Sequence, residues 1–344
     1  MKIIVNARFL TQPISGVQRY AIECSRQIKM FWPDVVFVAP KDILHTDIAI
    51  ELGAVVIGRN TGHLWEQADL PLYMAKTKRL PLLNLANTAP LLYSNNYITI
   101  HDLAFYHHPE WNSKSFATWY NILVPRLAYG SRHIFTVSQT MKQEIAGCYG
   151  VDKEKITVTY NGISKLMQDL VKDRQVGKEK IILSVGSFNK RKNHAVLLQA
   201  FLQSSIRQEY QLVVIGDKNK VFSDGGIDEE TVRNNNIKIC SGLSEGELIA
   251  MYQRAEVFVS LSSYEGFGIP VLEGLYCGCK AICSDIPVYR ELYSHNAVFC
   301  DPGQLSAVVD ALNNISTMQI ADTAPLFEKY NYAAAAHAIM QVIR

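Results

Sequence analysis

The sequence predicts an α/β protein of two Rossmann-like, doubly wound domains, and three observations carry that prediction. The chain has 344 residues, too many for one ordinary core, so two domains are expected. Hydrophobic residues make up 48% and charged residues 19%, which supplies apolar material for large cores. Short, continuous apolar runs alternate with stretches of helical spacing along most of the chain. Such runs read as strands buried on both faces, and their alternation with helices means parallel sheets wound right-handedly.

The second half shows this order most plainly. Its strands are "KIILSVG" (Lys180 to Gly186), "QLVVIGD" ending at Asp217, "NIKICSG", "EVFVSLS", "KAICSD" and "AVFCD". Its helices are "NHAVLLQAFLQSS", "EGELIAMYQRA", "IPVLEGLYCG" closed by Gly278, "PVYRELY" and "QLSAVVDALNNI". In the first half, "KIIVNAR", "DVVFVAP", "AVVIG", "YITIHD", "HIFTVS" and "ITVTYNG" are the strand candidates. "GVQRYAIECSRQIKMF" is a helix, and "SQTMKQEIAGCYG" is another, capped by Ser138 and ending near Gly147 or Gly150. The charged stretch that follows has few apolar anchors and is expected to be a linker. The expected domains are 1–163 and 180–322, with the linker at 164–179 and a last helix at 323–344.

Composition excludes several classes of function. A net charge of +2 is too small for a general nucleic-acid binder, and no nucleic-acid partner is expected. The opening "MKIIVNARFL" lacks the apolar length and small-residue cleavage site of a secretory signal. No stretch approaches the ~20 apolar residues of a membrane span. Cys277, Cys279 and Cys283 cluster, yet they lie in the apolar stretch "LYCGCKAICSD", where free cysteine acts as a small hydrophobe. A reducing cytoplasm suits this usage.

The most informative stretch is "SSYEGFGIPVLEG", Ser262 to Gly274. It places Glu265 in a loop after a strand and Glu273 in the first turns of the next helix, with seven residues between them. Gly266 and Gly268 flank Phe267 and let backbone approach a ligand closely. Carboxylates repel phosphate directly, so these two acids are better suited to accept hydrogen bonds from the hydroxyls of a ribose or sugar. The exposed N–H groups of the helix start suit a phosphate. A capped helix with solvated acids is the bland alternative, and it fits an isolated Glu better than this whole stretch. The basic turn "FNKRKN" follows "KIILSVG", which puts Arg191 and Lys192 at a strand's carboxyl end. In open parallel sheets ligands bind at such ends.

These segments together resemble family 4 glycosyltransferases, retaining enzymes of the GT-B fold that use nucleotide sugars. The resemblance runs through "SGVQRYAIE", "TIHDLAFYHHPEW", "VSQTMKQEI", "TYNGI", "ILSVGSFNKRKNHAVLLQAF" and "EGFGIPVLE", in the family's order. The "RKN" form resembles mannosyl- and rhamnosyltransferases of bacterial surface polysaccharides. The resemblance implies two domains across a cleft, the first acceptor-side, the second binding the nucleotide sugar, with the last helix crossing back. It implies that Glu265 contacts the transferred sugar and Glu273 the ribose diol. Gly266, Phe267, Gly268 and Ile269 would hold sugar and diphosphate, and Arg191 and Lys192 would hold the departing diphosphate. Ser187 stands where many relatives have arginine, so the arginine role falls on Arg191 or Lys190. Gly16 matches a phosphate-approaching loop, with Ser15 where relatives often have a second glycine. His101 matches a histidine that touches the donor sugar near the reaction centre. His107 and His108 match rim or acceptor contacts, and Asn161-Gly162 the interdomain hinge.

The chain has no Asp-x-Asp pair, so cationic side chains are expected to replace a divalent metal, and no cofactor is expected. GDP-mannose is the favoured donor. The acceptor is expected to be a glycan or lipid-linked glycan. Peripheral contact with the cytoplasmic face of the inner membrane is expected from "MAKTKRLPLL" and "SKSFATWYNILVPRLAYGSR", which mix basic and apolar residues, and from four tryptophans all in the first half. Two alternatives are a non-catalytic nucleotide-sugar-binding subunit and a glycan phosphorylase of the same architecture. The second needs a pyridoxal-phosphate lysine in a context the sequence lacks.

Overall fold

The computed structural model describes residues 2–171, 177–216, 230, 234–319 and 322–344. The chain divides into two compact units, Met1–Gly162 with Tyr330–Arg344, and Ile163–Lys329.

The first unit is built on seven parallel strands: β1 (Ile4–Asn6), β2 (Val36–Ala39), β3 (Val55–Val56), β4 (Leu82–Asn84), β5 (Asn96–Ile100), β6 (His133–Thr136) and β7 (Ile156–Val158). Their order is β3-β2-β1-β4-β5-β6-β7. The second unit holds β8 (Glu179–Val185), β9 (Gln211–Ile215), β10 (Ile237–Cys240), β11 (Ala255–Ser260), β12 (Lys280–Ser284) and β13 (Ala297–Cys300). They are ordered β10-β9-β8-β11-β12-β13, again all parallel. Both sheets are therefore doubly wound, as the sequence predicts. Strand order reverses between β1 and β4 in the first and between β8 and β11 in the second. At a reversal the flanking crossovers turn to opposite faces and leave a crevice at the carboxyl ends.

Local sequence explains most elements. The opening helix, Gly16–Phe31, buries Tyr20, Ala21, Cys24 and Ile28 on one face. Ser138 accepts from Met141 N at 3.2 Å, and the helix runs on to Gly150, whose φ of 63° ends it; Gly147 lies inside. "QLVVIGD" forms β9, with Asp217 outside the described residues.

Three segments differ from the sequence reading. "MAKTKRLPLL" is not an open apolar surface: Met74, Leu82 and Leu83 are fully buried, and the two leucines form β4. The basic run before them makes a short buried strand look interfacial. The stretch expected as linker carries the helix Lys165–Val171, and its residues 172–176 lie outside the described residues. The final segment is two helices, Ala324–Lys329 and Tyr332–Ile343, because Asn331 accepts from Ala334 N at 2.7 Å and caps the second. That second helix packs on Gly16–Phe31, with Phe31 and His337 rings 4.3 Å apart. Gly162 permits the crossing. A Cβ there would lie 2.7 Å from Asn331 Cα and 2.8 Å from Tyr332 N.

Candidate active site

The crevice of the second unit collects most of the expected residues. The loop after β8 delivers Arg191 and Lys192, and the loop after β11 delivers Glu265. Arg191 Nη1 donates to Glu265 Oε2 at 3.3 Å and to Tyr264 O at 3.2 Å. Lys192 Nζ donates to Glu265 Oε1. Lys190 is exposed, whereas Arg191 is half-buried against Glu265. Burial raises the Glu265 carboxyl, but Arg191 and Lys192 outweigh it and hold it at about 2. Within this cluster two cations face one carboxylate.

Side-chain and backbone hydrogen bonds fix the two loops to each other. Asn193 adopts a left-handed conformation (φ 51°), and its Nδ2 donates to Leu261 O at 2.8 Å and Ser263 Oγ at 2.9 Å. Ser263 N donates to Arg191 O at 2.8 Å. Asn189 Oδ1 accepts from Lys192 N at 3.2 Å. The cations are thus placed by a built turn rather than by a mobile surface tail. Gly216 sits against the start of this turn, where a Cβ would meet Gly186 O at 2.4 Å.

The "EGFG" loop is equally constrained. Gly268 has φ 90°, and a Cβ there would strike the Tyr289 ring at 2.4 Å. Tyr293 OH donates to Gly268 O at 3.1 Å, and the Tyr289 hydroxyl pairs with Ser260 Oγ at 2.8 Å. Gly266, Phe267 and Ile269 are buried, and the helix Ile269–Tyr276 starts at once. Glu273 is buried on that helix. Ser187 is exposed beside Asn189, whose Nδ2 donates to its Oγ at 3.1 Å. Sequence reasoning missed Asn193, Ser263, Tyr289 and Tyr293. Only Asn193 carried a signal, as part of "RKN".

His101 and Gly16 lie in the first unit. His101 is buried just after β5, its backbone N–H donates to Asn87 Oδ1 at 2.8 Å, and burial lowers its pKa. Its Nε2 bonds Leu85 O at 2.9 Å; a carbonyl only accepts, so Nε2 carries the proton and Nδ1 the lone pair. Gly16 opens the first helix and is exposed, next to its cap Ser15. His107 pairs with Glu144, and His108 stacks on Trp111. Cys279 and Cys283 are buried, and all seven cysteines are free. Among the described residues, no group of three or more His, Cys, Asp or Glu could hold a metal ion.

Comparison with known proteins agrees with this construction. Residues 168–343 match the family "Glycosyl transferases group 1", and residues 14–165 match "Glycosyltransferase Family 4". The chain belongs to the group 1 glycosyl transferases. It is 30% identical over 246 residues to the O-antigen chain mannosyltransferase RfbU of Salmonella typhimurium, across 71% of this chain and 66% of that protein. It is 25% identical over 223 residues to O-antigen chain mannosyltransferase B of Escherichia coli, across 61% of this chain and 58% of that protein. The matches thus span less than two thirds of these relatives' lengths. The Anabaena protein Alr3699/HepE, solved with UDP and glucose, superposes with a TM-score of 0.74 at 15% identity, covering 100% of this chain and 99% of that one. That likeness shows the GT-B fold.

Proposed function

We propose that the protein is a retaining glycosyltransferase that moves a hexose, mannose from GDP-mannose first among them, to a glycan or lipid-linked glycan of a surface polysaccharide. The observation that carries this reading is the Arg191–Lys192–Glu265 cluster at the β8/β11 reversal, beside the start of Ile269–Tyr276. A departing nucleoside diphosphate gains negative charge, and cations already fixed in place stabilise it without reorganising. Glu265 keeps those cations oriented and offers carboxyl oxygens to the hydroxyls of the transferred sugar. Glu273 is assigned the ribose diol, and Gly266 to Ile269 the diphosphate and sugar. His101 is assigned a contact with the donor sugar. The relatives named as mannosyltransferases support mannose.

The reading includes retention and transfer without a divalent metal or other cofactor, the two cations taking the place of a metal. It also includes a cytoplasmic site of action with peripheral membrane contact. Ile122, Arg126 and Tyr129 are exposed on one face of the helix Lys114–Gly130, which suits an anionic lipid surface. No described helix is long and apolar enough to cross a membrane. The test is release of nucleoside diphosphate from a panel of GDP-, UDP- and TDP-sugars, with and without crude lipid-linked glycan. Turnover of one donor that collapses in Lys192→Ala supports the reading. No turnover of any donor under either condition contradicts it.

A further inference from the structure

Ser262 lies just beyond β11, three residues before Glu265. It is 0% exposed, and its Oγ has no hydrogen-bond partner among the described residues. A buried hydroxyl left unpaired is costly and calls for an explanation. Two neighbours nonetheless respond to it. Burial raises the Glu265 carboxyl, Arg191 and Lys192 bring it down, and the Ser262 hydroxyl acts in the same direction as the cations. Burial and then Glu265 raise the Tyr289 phenol, while Ser260 and Ser262 lower it. Ser262 is thus close to both the carboxylate and the phenol without a hydrogen bond to either. The Tyr289 hydroxyl, on the helix Pro287–Tyr293, pairs instead with Ser260 Oγ at 2.8 Å.

The cations explain why Ser262 is left over. Arg191 Nη1 holds one Glu265 oxygen at 3.3 Å, and Lys192 Nζ holds the other. A diphosphate competes with Glu265 for both of them. Its oxygens carry more negative charge than one carboxylate, so each cation drawn toward it loosens its bond to Glu265. The Glu265 side chain is only 10% exposed. A carboxylate so buried is strongly destabilised when its ionic partners leave and no donor replaces them. The groups that face it are Arg191 and Lys192 from the turn after β8, Ser262 from its own loop, and Tyr289 from the next helix.

We propose that Ser262 is a positioning residue for Glu265: when a diphosphate draws Arg191 and Lys192 toward itself, the Ser262 hydroxyl turns to the carboxylate and donates in their place. The proposal rests on the transferase reading for its diphosphate. A hydroxyl proton reorients by rotation about a single bond, so the exchange needs no backbone movement. It frees the two cations for the leaving group without stranding a buried charge. It also keeps Glu265 ionised, and so able to accept from sugar hydroxyls. Ser262 then adds nothing to the stability of the nucleotide-free protein and stabilises only the complex.

The test compares wild type and Ser262→Ala by thermal unfolding without nucleotide and by calorimetry with GDP, UDP and TDP. These probes carry the diphosphate but no transferred sugar, so no sugar hydroxyl can take the place of Ser262. Ser262→Ala is expected to unfold at the wild-type temperature or higher, because it removes an unpaired buried polar atom. It is expected to bind the nucleotide that wild type prefers roughly tenfold more weakly, the worth of a hydrogen bond to a charged group. That deficit is expected to narrow as pH falls, because a protonated Glu265 needs no donor. Equal affinity, or a deficit that pH does not change, overturns the proposal and leaves the transferase reading standing. A lower unfolding temperature without nucleotide also overturns it, since Ser262 would then act in the fold itself. Absence of binding of all three nucleotides to wild type overturns the proposal together with the reading on which it rests.

Discussion

Lys192 donates through Nζ to a carboxyl oxygen of Glu265, across two loops whose residues are 73 apart in sequence. Arg191 takes the other oxygen, so one carboxylate orients both cations. Arg191→Ala or Lys192→Ala is expected to cut turnover by about 10²–10³-fold, the usual cost of losing a preorganised donor to developing charge. Far-UV circular dichroism should stay native, since both side chains keep partial exposure. Near-normal turnover would count against the leaving-group role.

The same pairing makes the second unit sensitive to acid. A Glu265 carboxyl held at about 2, against an ordinary 4.5, contributes stability that is fully present above about pH 4.5 and lost as pH falls toward 2. Urea unfolding should therefore show wild type well above Glu265→Gln near neutrality, with the gap narrowing near pH 3. A gap that widens in acid would contradict the pairing.

Gly162→Ala should destabilise the protein by about 1–3 kcal/mol, because its Cβ meets backbone of the returning chain, which cannot swing aside. Gly147→Ala is the control. It lies in the helix Gln139–Tyr149 with nothing within 4 Å of its Cβ, and should be neutral or stabilising by about 0.5–1 kcal/mol. Thermal unfolding of the two variants checks both.

If Arg191 and Lys192 take the place of a metal at the diphosphate, as proposed, activity should survive EDTA and gain nothing from added Mg²⁺ or Mn²⁺. Donor turnover before and after chelation checks this. Loss in EDTA that either ion restores would contradict it.

What was legible in the sequence was what is local. The alternation of apolar runs and helices gave both sheets, and "EGFGIPVLEG" marked the loop and helix of the second crevice because its residues are contiguous in the chain. The pairing of Glu265 with Arg191 and Lys192 spans two strands that become neighbours only in the folded sheet. Asn193 could not be read as a loop fastener, because its left-handed backbone and its bonds to Leu261 and Ser263 are tertiary. β4 was missed because Leu82 and Leu83 follow Lys76, Lys78 and Arg79, a pattern shared by buried strands and interfacial surfaces.

The most direct test of the account is a calorimetric titration of wild type and Lys192→Ala with GDP, UDP, TDP and ADP in the absence of metal. The account predicts that wild type binds one nucleoside diphosphate clearly best, GDP first among them, and that Lys192→Ala loses roughly tenfold or more of that affinity. Absence of binding to all four, or binding that Lys192→Ala leaves unchanged, would mean that the β8/β11 crevice does not hold a diphosphate.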